Sequence, residues 1–158
     1  MVKPLEKRAD LIPYSEEYGE YVRKWIDTEE TYQFVCRGKE FPPPENIITS
    51  WQRSTVKSYL LIDSGKPVAY GELWRREDEL AYEIGHLIVD QYKRGEGYGT
   101  KLVELLYQRA ASQPQIAKII IKLFHENPIA LGCFMKVGFE ITSTTSYTAG
   151  LRMIRFVK

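Results

Sequence analysis

Residues 83–100 hold the chain's densest set of groups able to do chemistry. The run is Glu83-Ile84-Gly85-His86-Leu87-Ile88-Val89-Asp90-Gln91-Tyr92-Lys93-Arg94-Gly95-Glu96-Gly97-Tyr98-Gly99-Thr100. An apolar strand passes into a basic turn with three glycines at alternate positions, and the turn opens a helix. Glycine permits φ > 0 and lets a ligand approach the backbone closely. The first amides of a helix have no partner within it and point outward. The helix start is partly positive, so it attracts a phosphate or pyrophosphate. Lys93 and Arg94 add charge beside it. The turn therefore reads as an anion nest; the plainer reading is a tight turn with no ligand.

Two nucleotide motifs that use such a turn fit poorly. The P-loop ends Gly-Lys-Ser/Thr, whereas this turn ends Gly99-Thr100-Lys101. The dinucleotide fingerprint needs G-x-G-x-x-G, and here the glycines follow G-x-G-x-G. A second motif lies downstream, Asn127-Pro128-Ile129-Ala130, then Phe134, Lys136, Gly138 and Phe139. Arg94-Gly95-Glu96-Gly97-Tyr98-Gly99 resembles the R/Q-x-x-G-x-G/A pyrophosphate loop of the GNAT acetyltransferase superfamily. The downstream motif resembles that family's N-x-x-A…(Y)-x-K-x-G-F helix. Order and separation agree, and the two together span roughly residues 58–145. Gly99-Thr100-Lys101-Leu102-Val103 and Cys133-Phe134-Met135-Lys136-Val137-Gly138-Phe139-Glu140 are mildly similar to aminoglycoside N-acetyltransferases of the same superfamily.

The resemblance implies acetyl-CoA as cosubstrate, no metal, and a primary amine as acceptor. The pyrophosphate is expected on the amides of Arg94, Gly95, Glu96, Gly97, Tyr98, Gly99 and Thr100. Pantetheine is expected in a cleft between two splayed strands, bonded to the free edge of the first around Leu87, Ile88 and Val89. Asn127, a natural helix cap, is expected to contact pantetheine as well. Phe134 stands where many family members carry a tyrosine that protonates the departing thiolate, so that acid is missing here. Tyr98 and Cys133 are near in sequence without clearly replacing it. Cys133 reads as a small buried helix residue.

An amine attacks a thioester only as the free base, and most amines are protonated near neutral pH. A carboxylate beside the acceptor can take that proton, directly or through water. Glu83 lies eleven residues before Arg94, the spacing at which some family members carry a glutamate base. The plainer reading is a strand glutamate facing solvent or pairing with a lysine. Glu72 is expected opposite Glu83, on the same face, if their turn centres on Glu77-Asp78. A one-residue slip removes that pairing, and an exposed strand glutamate is the alternative. His86 alternates away from Glu83, so it is expected on the other face. His125 ends a strand near the expected cleft and is a weaker candidate base. Neither histidine has metal-ligand company.

These groups need elements to hold them. Residues 16–34 carry Tyr18, Tyr21, Val22, Trp25 and Ile26 on one helical face. A short helix is expected over Asn46–Arg53. Ser58–Asp63, Lys66–Arg75 and Leu80–Val89 read as an antiparallel meander, because their connections are too short for crossovers. Gly99–Ala111 reads as a helix striped by Leu102, Val103, Leu105, Leu106 and Ala110. Ala117–Phe124 reads as a buried strand, parallel to Leu80–Val89 through that helix. Asn127–Val137 is a helix stopped by Gly138, and Phe139–Ser143 with Leu151–Val157 close a hairpin. The fold expected over residues 1–158 is one α/β domain of the GNAT-like kind. It has a mixed, mostly antiparallel sheet flanked by helices, and a splayed parallel pair forms the acetyl-CoA cleft.

Composition narrows the function classes. The formal net charge is +1, against nucleic-acid binding. The polar N-terminus and the absence of a run near the roughly 20 apolar residues that span a bilayer argue against export and membrane insertion. Cys36 and Cys133 lie far apart, as expected for a reducing, cytoplasmic setting. Three functions compete: acetylation of a small-molecule amine, acetylation of a protein or peptide N-terminus, and non-catalytic acyl-CoA binding. A closed acidic pocket favours the first, with Glu29-Glu30 able to attract a cation. An open groove beside the Phe139–Val157 hairpin favours the second. The Pro42–Pro44 loop and the N-terminal aromatics are expected to border the acceptor site, and a homodimer is left open.

Overall fold

Alternation of apolar residues after residue 55 does build strands, and a computed structural model describes residues 8–37, 40–124, 127–142 and 150–157. The strands are Ala9–Pro13 (β1), Val56–Asp63 (β2), Lys66–Arg76 (β3), Ala81–Val89 (β4), Lys118–Leu123 (β5), Glu140–Ile141 (β6) and Leu151–Phe156 (β7). Among the described residues they form one sheet in the order β1-β2-β3-β4-β5-β7-β6. The helices are Gly19–Trp25 (α1), Glu29–Cys36 (α2), Ile47–Trp51 (α3), Tyr98–Ala111 (α4) and Pro128–Lys136 (α5).

Local chemistry explains the connections. Ser64 and Gly65 both take positive φ, 52° and 78°, the backbone a two-residue hairpin turn requires. β4 reaches β5 only through α4, and the two strands run parallel, as a helical crossover dictates. Leu102, Val103, Leu106 and Ala110 of α4 pack on Leu61, Ala69, Leu73 and Ile84 of the sheet. Each fully buried leucine there contributes about 1.5–3 kcal/mol. The opposite face carries Leu60, Tyr70 and Ile88 under Val22, Trp25, Tyr32 and Ile48 of the N-terminal helices.

The structure departs from expectation at four points. The single helix over 16–34 is broken, because α1 ends at Ile26 (φ −83°, ψ 78°) and Thr28 caps a new helix by accepting from the Thr31 amide. β1 is a strand the sequence reading lacked; among the described residues it pairs only with β2, and an edge position tolerates its proline. Glu72 lies opposite Gly85, and Glu83 lies opposite Trp74. The β3–β4 turn is longer than a Glu77-Asp78 centre requires, with a 3-10 turn over Glu77–Glu79 and Leu80 in the left-handed region. Tyr70 then pairs with Ile88, so β4 holds one extra residue, a β-bulge. His86 sits in that bulge with φ 48°. The bulge breaks the alternation and turns His86 onto the face that carries Glu72. Of the closing hairpin, residues 143–149 lie outside the described residues.

Candidate active site

β4 and β5 pair only from Ala81–Ile84 to Lys118–Ile121. Past Ile84, the β5-facing edge of β4 has no strand partner among the described residues, while the other edge still pairs with β3 as far as Val89. The expected splay is therefore present, and it exposes backbone groups that an extended ligand can pair with. Leu87, Ile88 and Val89 line a cavity of about 350 Å³ there, together with Phe34, Asn127 and Phe134.

The glycine turn closes one end of that cavity. Gly95 and Gly97 have φ of 79° and 91°, so glycine serves the backbone rather than the space. A Cβ at either position would meet nothing within 4 Å. The Lys101 amide makes the first bond back into α4, to the Gly97 carbonyl at 3.1 Å. The amides of Gly99 and Thr100, in the first turn, precede the first carbonyl the helix offers them. Arg94 departs from expectation. Its guanidinium does not face the nest: it donates to Trp25 O at 2.9 Å, Asp27 Oδ1 at 3.1 Å and Val89 O at 3.2 Å. Its charge is met by Asp27, and the side chain ties the turn to the end of α1.

Neither the Tyr98 hydroxyl nor the Cys133 thiol is made a stronger acid by its surroundings. The Tyr98 hydroxyl donates to Asp63, and that bond and burial push its pKa up to about 12. The Cys133 thiol lies 3.3 Å from Thr100 Oγ1, and burial pushes it up. Asn127 Oδ1 accepts from the Ala130 amide at 3.2 Å, so it caps α5 while also lining the cleft. Phe134 is buried and faces the same space.

Where the strands part, a smaller cavity of about 130 Å³ is lined by Glu83, His86, Lys122 and Phe134. His86 and Trp74 also line a neighbouring cavity of about 300 Å³ with Trp51, Arg53, Arg75 and Arg76. Glu83 is 3% exposed. Its Oε1 accepts from Arg76 Nε at 2.9 Å and Nη2 at 2.7 Å, and lies 3.7 Å from Lys122 Nζ. Glu72 is fully buried. It accepts from the Tyr70 hydroxyl, from Trp74 Nε1 at 2.7 Å, and lies 2.8 Å from His86 Nδ1. The two carboxylates thus belong to separate networks. His125 lies outside the described residues.

The sequence reading missed Tyr70, Trp74, Arg76, His86 and Lys122 as site residues. One signal was available: an isolated glycine inside a strand marks a bulge or close approach. A Cβ on Gly85 would stand 2.4 Å from the Trp74 ring, so this glycine makes room for the indole that binds Glu72. Among the described residues, no group of three or more ligating side chains could hold a metal, and no helix is long and apolar enough to cross a membrane.

The sequence profile of the Acetyltransferase (GNAT) family matches residues 13–139. Aminoglycoside N(6')-acetyltransferase type 1 of Klebsiella pneumoniae is 28% identical over 109 residues, 62% of this chain and 54% of the relative. The match thus spans about half of that relative's length. N-acetyltransferase 9-like protein of Caenorhabditis briggsae is 24% identical over 161 residues, 92% of this chain and 81% of the relative. The solved structure of aminoglycoside acetyltransferase AAC(6')-Ib in complex with coenzyme A superposes with a TM-score of 0.76 at 19% identity, covering 94% of each chain. At that identity the likeness is one of fold.

Proposed function

Because the chain belongs to the acetyltransferase (GNAT) family, we propose that it transfers the acetyl group of acetyl-CoA to a primary amine. One observation carries the reading: the unpaired edge of β4 leads from an acid–base cluster to a glycine-rich helix start. The amides from Arg94 to Thr100 would hold the pyrophosphate. The edge at Leu87, Ile88 and Val89, with Asn127, would hold pantetheine. Phe134 would border the thioester. The thioester supplies the activated acyl group, and the residues of this chain orient it and manage the proton of the amine.

Glu83, expected as the base, has surroundings that support a different part. Arg76 and Lys122 both hold its Oε1. Both cations thus converge on one oxygen of a carboxylate that is itself buried. We assign Glu83 to fixing the floor of the cleft with those two cations. Phe134→Tyr is expected to keep the fold and give turnover no lower than the parent, because thiolate departure does not depend on a phenol in this chain. A large loss with intact folding would show that Phe134 packs against substrate.

The acceptor side is the cavity lined by Arg53, Arg75 and Arg76. Glu72 also lines it, but fully buried and already accepting from Tyr70 and Trp74, so it is not the open acidic pocket expected for a simple cationic amine. Arg76 is tied to Glu83 and Arg75 lies over the Tyr82 ring, which leaves Arg53, exposed at the rim, to repel a polycation and meet a carboxylate or phosphate. The acceptor is therefore an amine that carries an anionic group near its nitrogen. A small molecule is the first reading. A peptide with an acidic side chain near its amino terminus is the second, favoured by Arg53, which is exposed at the rim. Thiol release from acetyl-CoA against an amine panel tests both. Anion-bearing amines are expected to react fastest. Faster acetylation of a polyamine or aminoglycoside would overturn the acceptor class. Acetyl-CoA binding without thiol release for any amine would leave a non-catalytic binding domain.

A further inference from the structure

The bulge on β4 does something the proposed reaction needs. His86 is held in the left-handed region at φ 48°, a strained conformation for a non-glycine residue. Bulges near active sites re-aim side chains, and this one aims an imidazole at a buried carboxylate. Nδ1 lies 2.8 Å from Glu72 Oε1. The ring stacks on Trp51 at 4.0 Å and 24°, and meets Trp74 edge-on at 5.0 Å and 78°. It is thereby fixed in position and rotation. Its side chain keeps 16% exposure, and it borders both the cleft and the arginine-lined cavity.

The chemistry follows from the partners. Tyr70 and Trp74 already donate to Glu72, and a carboxylate that accepts from both accepts from Nδ1–H as well. The neutral imidazole then carries its hydrogen on Nδ1 and a lone pair on Nε2. A carboxylate that fixes the tautomer and supports the imidazolium is the arrangement that makes histidine an effective base. Glu83, the other carboxylate at the cleft, has its near oxygen occupied by Arg76 and Lys122.

We propose that His86, positioned by Glu72, is the base that deprotonates the acceptor amine. The inference rests on the acetyl-transfer reading above. The acceptor enters as an ammonium and gives one proton to Nε2. The nitrogen lone pair forms the N–C bond at the thioester carbonyl, the C–S bond breaks, and its electron pair leaves on sulfur. A second proton from the nitrogen goes to the thiolate, and the third hydrogen stays on the amide. The imidazolium returns its proton to solvent. One amide, one thiol and one solvent proton form per ammonium consumed, and no phenol is required.

The charged and titratable groups around His86 are Glu72, Arg75 and Arg76 on β3, Glu83 on β4, Lys122 on β5, and Arg53 just past α3. Base catalysis by His86 gives kcat/KM an acidic limb set by the imidazole among them. His86→Asn is the variant of choice, since asparagine tolerates the left-handed backbone. It is expected to bind acetyl-CoA like the parent, to lose about 10²–10⁴-fold in turnover near neutral pH, and to regain part of that at high pH. Its acidic limb is expected to vanish. His86→Ala is expected to be rescued in part by added imidazole, which a purely structural role would not allow. Glu72→Gln should show a smaller loss and a displaced limb. Near-parental turnover in His86→Asn, or an acidic limb retained there and lost in Glu83→Gln, would overturn the proposal while leaving acetyl transfer intact. A parent that binds acetyl-CoA but acetylates no amine would overturn both.

Discussion

Gly97→Asp is expected to weaken acetyl-CoA binding by at least about a hundredfold while the protein stays folded. Gly97 caps α4 at φ 91°, a conformation that L-residues adopt reluctantly, with aspartate among the more tolerant. A Cβ there meets nothing within 4 Å, so the change is not a packing defect. Its effect is electrostatic. The carboxylate would sit at the helix start where the pyrophosphate is proposed to rest. Two unit charges about 4 Å apart repel by about 4 kcal/mol at an effective dielectric of 20, and about 2.8 kcal/mol is a hundredfold in affinity. Calorimetric titration of both proteins measures it. Equal affinity in a folded variant would place the anion elsewhere.

Glu72→Ala is expected to be the most destabilising single change at the site. The carboxylate is fully buried and partners the Tyr70 hydroxyl, Trp74 Nε1 and His86 Nδ1. Burial, then the charge of Glu72, pushes the Tyr70 phenol up, so it stays a donor and needs an acceptor. Each buried donor left without one costs about 1–3 kcal/mol. The sum is about 3 kcal/mol or more, and a chain of this size loses about 2–4 °C in Tm per kcal/mol. A fall in Tm of about 6–12 °C is the expected result. Glu72→Gln, which keeps one acceptor oxygen, should lose less. An unchanged Tm for Glu72→Ala would mean that the three donors do not depend on this carboxylate.

The local structure at the proposed cofactor side was legible because it depends on neighbours in the sequence. Alternate glycines before an apolar-striped helix, and Asn127 before Pro128, specify a helix start and a cap within a few residues. The parallel pair was equally legible, since a strand joined to a strand through a 14-residue helix must cross over. The acid–base half depends on register, which no local pattern fixes. A longer turn after Arg76 moved Glu72 from Glu83 to Gly85, and one extra residue in β4 carried His86 onto the face that alternation denied it. The partners of the Arg94 side chain were hidden for a similar reason. Its position in the motif is local, but its partners, Trp25 and Asp27, come from the far end of the chain. The break at Ile26–Thr28 was readable in principle, from Asp27-Thr28 as a cap signal inside a long apolar stripe.

This chain is proposed to move an acetyl group from acetyl-CoA to an amine that carries an anionic group. The most direct test is to incubate the purified protein with acetyl-CoA and one such amine, and to follow free thiol and product mass together. The expected result is thiol release that needs both amine and protein, matched mole for mole by a product heavier by one acetyl group on nitrogen. Thiol release at the same rate without the amine, or none with it, would contradict the account.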